Sequence, residues 1–407
     1  KCLDTSVDQS IYSSAEGGRK MTDFENRHMI EALRSGVPSR AVGKFFSSSR
    51  KEIMDKAASL IAESAGGVSN SMVIKGKYGE GKTHFLNSVF SMAQENNMVV
   101  SFVALGKETP ANKIDILYKR VLEQTYLPGE SEPGIPSLFT FLSSGSDKAN
   151  EMFLYALNKL DTNRLYYVLK AFLASEGSND DDVDVLEADL QGSFASVAAI
   201  RTLYSRYCRE KVSFNNKFVV KEHTSDYFAF MSHLFKVMGY SGWVILFDEA
   251  ELIGRFARKS RMSAYSTISQ FLFPPSSFDS VSSIFFFFSS YTEEVIGEKD
   301  DFGYLDLMEG DEDSKEVIRK VLDRIVEAEE LRALTEDELT YSLKTIVDIY
   351  SKAYGKDYSG HAEKVIETAS SSGYLLRTKI RAAIEALDQI SQYGDEGVIS
   401  AGAVCSD

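Results

Sequence analysis

Residues Gly76 to Thr83 read Gly-Lys-Tyr-Gly-Glu-Gly-Lys-Thr and fit G-x-x-x-x-G-K-[ST] at every fixed position. No other stretch constrains the fold so tightly, because such a loop works only between a buried strand and a helix. Both flanks are present. Met72-Val73-Ile74 is an apolar run that predicts a buried strand, and His84 to Phe90 carries apolar residues at helical spacing. The loop therefore opens a helix whose N-terminus faces an anion. Backbone N–H groups of Gly76, Lys77, Tyr78, Gly79, Glu80, Gly81, Lys82, Thr83 and His84 are the candidates to surround a chain of phosphates. Lys82 is expected to reach the outer phosphates and the Thr83 hydroxyl to ligate Mg²⁺.

A second stretch complements the first. Gly242-Trp243-Val244-Ile245-Leu246-Phe247-Asp248-Glu249 is an apolar strand ending in two acids. In P-loop NTPases a buried strand delivers an Asp to the Mg²⁺ shell, and Asp248 fits that role. Glu249 is then placed to orient the attacking water or accept its proton. Two acids rather than one favour hydrolysis over passive nucleotide binding. Glu251 reads as a helix cap or a supporting acid. Trp243 and Phe285 to Phe288 read as core rather than as a stacking platform for bases.

The 407 residues suffice for two or more domains. Acidic residues outnumber basic ones 60 to 45, giving net −15, which offers no global attraction to nucleic acid. Arg255, Arg258, Lys259 and Arg261 form a local basic cluster that a solvated helix face would also explain. Cys2, Cys208 and Cys405 are far apart and make no disulfide framework, and the five histidines show no metal spacing, so a reducing cytoplasm is the expected setting. Ile284 to Phe288 is far too short to cross a bilayer, and no signal peptide is visible. The stretch before Met21 reads as a tail or a trimmed start.

Along the chain, Asp23 to Leu33 has helical spacing and stops at Ser35-Gly36-Val37-Pro38-Ser39. Helical signals continue from Ala41 to Ala65, and Val99 to Leu105 is the next strand after the loop helix. Strand, loop, helix and strand make a βαβ unit and imply a parallel sheet. Residues 107–238 read mostly helical, broken at Pro128 to Pro136 and at Glu176 to Asp184, which contains the acidic run Asp180-Asp181-Asp182 and is expected to be an exposed loop. A helix near Ser263 to Leu272 precedes a strand over Ser282 to Ser290. From Ser314 the pattern is helical, with a clean helix start at Thr335-Glu336-Asp337-Glu338. The expected class is α/β: an AAA+ P-loop NTPase core with a parallel sheet, a helical insertion and a C-terminal helical lid. The expected boundaries are a tail over 1–22, the core over 23–310 with its insertion at about 107–238, the lid over 311–393 and a tail over 394–407.

That plan suggests further site residues. A polar residue ends the strand beside the Asp-Glu strand in such proteins. Ser289, Ser290 and Thr292 are the candidates, Ser290 being counted with the nucleotide-binding set. Arg377, or Arg381 one turn on, could reach the γ-phosphate from the lid. Arg261, Arg319, Arg324 and Arg332 are candidates to complete a neighbour's site. Val37 and Pro38 could line the adenine.

Three stretches together resemble a known family: Ile30 to Arg40, Gly76 to Leu86 and Gly239 to Glu251. They are similar to the P-loop ATP-binding proteins of BREX-type phage-defence loci, a family that looks like a divergent branch of the ORC/Cdc6-like AAA+ ATPases. Weaker echoes lie at Arg164 to Ala171, Arg261 to Tyr265 and Leu376 to Arg381, so the resemblance spans roughly Phe24 to Leu387. It implies a cytoplasmic ATPase binding ATP and Mg²⁺. Its implied partners are a helicase or another DNA-processing subunit, with DNA contact indirect and no membrane. It also implies a homo-oligomer or hetero-complex. By motif match it assigns Lys82 and Thr83 to phosphates and Mg²⁺, Asp248 to Mg²⁺, Glu249 to hydrolysis and Arg377 to the lid. The chain departs from the pattern at Leu376, where many relatives have Pro, and leaves no room for a winged-helix domain. The competing readings are a nucleotide-gated scaffold with little turnover, a DNA-translocating or loading motor, and, more distantly, a small-molecule kinase.

Overall fold

Strands covered on both faces must be apolar at successive positions instead of alternating with polar ones. Trp243 to Phe247 and Ile284 to Phe287 meet that requirement and form the buried middle of the sheet. The computed structural model describes residues 22–35, 50–77, 79–135, 139, 142–175 and 180–394. Within them the chain runs α1 (Asp23–Ser35), α2 (Lys51–Ala65), β1 (Asn70–Gly76), α3 (Lys82–Glu95), β2 (Met98–Ala104), α4 (Ile114–Glu123) and β3 (Thr125–Tyr126). The helices α5 (Asp147–Asn158), α6 (Arg164–Ala174), α7 (Asp180–Leu190), α8 (Val197–Cys208) and α9 (Val220–Val237) follow. Then come β4 (Gly242–Asp248), α10 (Arg258–Leu272), β5 (Val281–Phe288), α11 (Asp301–Leu307), α12 (Glu312–Val326) and β6 (Glu329–Glu330). The helices α13 (Glu336–Tyr354), α14 (Ala362–Ser371) and α15 (Leu376–Tyr393) complete it.

The six strands form one mixed, mainly parallel sheet in the order β3-β2-β4-β5-β1-β6, with only the β2–β3 pair antiparallel. Period-two alternation sends Met72, Ile74, Val244, Leu246, Ile284 and Phe286 to the face covered by α2 and α3. Val73, Ile245, Phe247, Phe285 and Phe287 go to the opposite face, where α9 and α10 cover them. At the sheet's centre the Trp243 indole N–H donates to the Ser101 hydroxyl at 2.8 Å, so a buried polar edge has its partner.

Two expectations for the 107–238 region change. Thr125 and Tyr126 form a short edge strand on β2, within a stretch read as helical. The Asp180-Asp181-Asp182 run opens α7 instead of forming a loop. Carboxylates suit the positive end of a helix. Asp182 also pairs with Arg206 and accepts from Tyr207, while Leu186 and Leu190 are buried on the other side. Inside the same region Arg164 is fully buried against Asp189, and Tyr227 bonds both.

The chain divides into two compact units, one within 38–338 and the other made from 1–37 with 339–407. α12 and β6 belong to the sheet unit, which runs to Glu338. Ile318, Val321, Leu322 and Ile325 bury one face of α12 in its core, and β6 pairs with β1. In the smaller unit α1 packs along α15. Arg34 donates to Asp388 at 2.8 and 3.1 Å, and the Tyr350 hydroxyl donates to the same carboxylate at 2.7 Å.

Leu322 is fully buried in that packing. Leu322→Ala is expected to lower stability by about 2–5 kcal/mol, read as a lower urea midpoint at unchanged slope.

Candidate functional site

The parallel register aligns the strand ends that matter. Gly76 of β1 stands opposite Phe288 of β5, and Ala104 of β2 opposite Asp248 of β4, so the loop and the acid strand emerge at the same carboxyl edge of the sheet. Ligands of open α/β sheets bind at that edge. The chain leaves β1 and turns through Gly79 (φ 78°) and Gly81 (φ 87°), left-handed conformations that cost glycine little. The Glu80 carboxylate closes the turn by accepting the Lys77 N–H at 2.9 Å, and α3 begins at Lys82. At the second residue of α3, the Thr83 hydroxyl donates to Asp248 Oδ2 at 2.9 Å. The two motifs read separately in the sequence are thus joined by a direct bond.

Asp248 is buried, and its Oδ1 accepts the N–H of Glu249 at 2.9 Å. Glu249 sits in the left-handed region (φ 55°, ψ 31°) at the head of the 3₁₀ turn Ala250–Arg255, which breaks the strand's alternation and leaves its side chain exposed. The Lys82 ammonium lies 4.3 Å from the centroid of the Phe288 ring. Glu251 Oε2 accepts the Phe288 N–H at 3.1 Å. Burial pushes the Glu251 carboxyl above its usual range, with Lys82 opposing and Asp248 reinforcing that shift. Glu251 thus ties the end of β5 to the 3₁₀ turn that follows β4. Phe288 departs from the reading of its run as core, since its half-buried ring faces the lysine while Phe285, Phe286 and Phe287 are buried.

Of the polar residues after β5, the Ser289 hydroxyl donates to Glu330 at 3.2 Å and Thr292 Oγ1 to the Ser289 carbonyl at 3.4 Å. Ser290 lies in the turn between them. Arg377 is in the first turn of α15, in the smaller unit, with Arg381 one turn on. Arg261 is buried, with Nε donating to both oxygens of Asp301 at 3.0 Å and Tyr265 donating to that carboxylate at 2.7 Å. It is a structural pair inside the unit and not a surface arginine for a neighbour. Arg319 pairs with Asp306, Arg332 with Glu338, and Arg324 donates to the Ser71 carbonyl. Val37, Pro38 and Tyr78 lie outside the described residues.

No sequence motif points to Arg50. It precedes α2 in a left-handed conformation (φ 58°) and is buried. Its Nε donates to the Arg332 carbonyl at 2.8 Å and its Nη2 to the Glu80 carbonyl in the phosphate loop. Its own N–H donates to Glu338 at 2.8 Å. Burial lowers the Arg50 guanidinium to about 10, still fully charged at neutral pH, with Glu80 and Glu338 opposing the shift. Burial, with Arg50's charge added, holds the His84 imidazole down at about 4.

A hydroxyl and a carboxylate side by side are the hard oxygen donors that Mg²⁺ takes, so Thr83 and Asp248 fit that ion. Among the described residues no cluster of three or more His, Cys, Asp or Glu could hold a metal by itself, and no helix is long and apolar enough to cross a membrane. A family model described as "BREX system ATP-binding protein BrxC/D" matches residues 22–138 and 210–397, most of the chain. The loop, the acid strand, Arg50 and Arg377 fall inside these stretches. Helices α5 to α8, including the Arg164 to Ala171 stretch, fall between them. No curated protein matches the chain.

His84 stays neutral in the fold to about pH 4, whereas an exposed histidine takes up its proton near 6.5. Between those values the unfolded chain binds the extra proton, so stability falls as pH drops from 6.5 toward 4. His84→Gln is expected to flatten that part of the stability–pH curve, measured by urea unfolding at stepped pH.

Proposed function

We propose that this chain, which belongs to the BrxC/D family of BREX system ATP-binding proteins, is an AAA+ ATPase whose cycle of binding and hydrolysis drives a rearrangement used by a DNA-processing partner in phage defence. The observation that carries this reading is the 2.9 Å bond between Thr83 and Asp248, which joins a phosphate loop to an acid-tipped strand. The strand order supports it as well. β5 lies between β1 and β4, so the polar residues after it follow a strand flanked by the loop strand and the acid strand.

In this reading the amides of Gly76 to His84 wrap the phosphates, the described ones opening onto the N-terminus of α3. The Lys82 ammonium moves from the Phe288 ring to the outer phosphates and stabilises the charge that develops there. Thr83 and Asp248 would hold Mg²⁺, which would supply further charge neutralisation on the phosphates. The exposed Glu249 carboxylate, turned out of the strand by its backbone, orients the attacking water and accepts its proton. Glu251, bonded to the end of β5, keeps β4 and β5 in register at that point. Ser290 would help position the water. ATP and ADP are then the small-molecule partners, and assembly is with copies of the chain or with other BREX components.

Lys82→Ala is expected to abolish ATP binding in a titration calorimeter. Glu249→Gln is expected to bind ATP like the parent and to hydrolyse it about 10²-fold more slowly, the scale of a lost general base. Equal turnover in the parent and Glu249→Gln would remove Glu249 from the mechanism. Tight binding with no turnover in the parent would leave a nucleotide-gated scaffold.

A further inference from the structure

We infer that Arg50 is a positioning residue for nucleotide binding, setting the direction of the Glu80–Gly81 peptide in the phosphate loop; the inference rests on the nucleotide-binding reading above. The argument is geometric. A trans peptide is planar, and its C=O and N–H point in opposite directions. Arg50 takes the Glu80 carbonyl from outside the loop. The Gly81 N–H, in the same peptide plane, is thereby turned away from Arg50. Gly81 is the residue before α3, so that N–H has no acceptor within the helix and is available to an anion.

Three features keep the guanidinium in place. It is buried, so its direction is not averaged by solvent. A second bond, from Nε to the Arg332 carbonyl at 2.8 Å, fixes the plane of the fork. The backbone beneath it is pinned in a left-handed conformation by the bond from its N–H to Glu338. Glu338 is itself held by Arg332 at 2.6 and 2.7 Å and caps Thr335 at 2.9 Å. From the other side the Glu80 carboxylate holds the Lys77 N–H at 2.9 Å. Glu80 is thus gripped at both its carbonyl and its side chain, and the Gly79–Glu80 and Glu80–Gly81 peptides lose the freedom that glycines would otherwise give them. Glycine loops that bind phosphate tightly need such restraint, because an unrestrained loop must be ordered at the moment of binding.

The test uses the full chain carrying Arg50→Gln or Arg50→Lys, titrated with ATP and Mg²⁺ by calorimetry, which returns Kd and the number of competent sites separately. Glutamine removes the charge and the fork. Lysine keeps the charge but cannot reach two carbonyls as a planar fork. Arg50→Gln is expected to raise Kd about tenfold, the worth of one charge-assisted hydrogen bond, with the number of sites unchanged. Arg50→Lys is expected to raise it about fivefold, since orientation and not charge is at stake. Fewer sites at parental Kd would mean that Arg50 only supports the fold, and would overturn the inference. Parental Kd in Arg50→Lys with weakened Arg50→Gln would assign the effect to charge and overturn it equally. Should Arg50→Gln fail to fold, Arg50→Lys decides by the same two quantities. Lys82→Ala runs alongside. If it binds ATP as the parent does, the nucleotide reading has failed; if it does not, a parental Arg50→Lys is a failure of this inference alone.

Discussion

The bond from the Thr83 hydroxyl to the Asp248 carboxylate spans 165 residues of sequence, and every feature of the site depends on the sheet register that permits it. β1 and β4 are not hydrogen-bonded to each other. Each pairs with β5, and the three strands end together because residue pairs such as Gly76 with Phe288 and Phe247 with Phe285 are locked in step. A slip of one residue would turn each strand's apolar side chains to the opposite face. Both faces are packed with different partners, one with α2 and α3 and the other with α9 and α10. The two cores therefore hold the register, and the register holds the site.

The site was legible where a residue's role follows from local pattern. The loop from Gly76 to Thr83 announces its geometry because glycine, lysine and threonine are each required at a fixed offset, and the strand before Asp248 announces itself by unbroken apolarity. The family model agrees with the resemblance carried by those stretches and leaves out α5 to α8. What could not be read depends on distant contacts. Arg50 stands beside no motif, and its place against the Glu80 carbonyl follows from how α2 lies on the sheet. Phe288 looked like a fourth core phenylalanine. The pleat and the end of β5 expose its ring to Lys82 instead.

The fold followed the same rule. Helices with strong spacing and the central strands were found near their true bounds. Thr125 and Tyr126 were missed because two residues carry no periodicity, and they become a strand only by pairing with Val100 and Ser101. The acidic run at 180–182 has the composition of a loop, yet a helix start tolerates and uses it. α12 and β6 look like the beginning of a helical unit in sequence, but a buried apolar stripe and a two-residue pairing with β1 tie them to the sheet.

The strand order also bears on how the chain is made. β1 is flanked by β5 and β6, whose residues begin at Val281 and Glu329. During synthesis from the N-terminus, this apolar strand stays open along both edges until the chain from Lys77 to Val281 has followed it. Pairings over such separations are slow, and open apolar edges invite association with other chains. The nascent polypeptide thus has a long interval on the ribosome in which a chaperone would be of use, and the loop after β1 takes its final shape only once Val281 to Phe288 has been made.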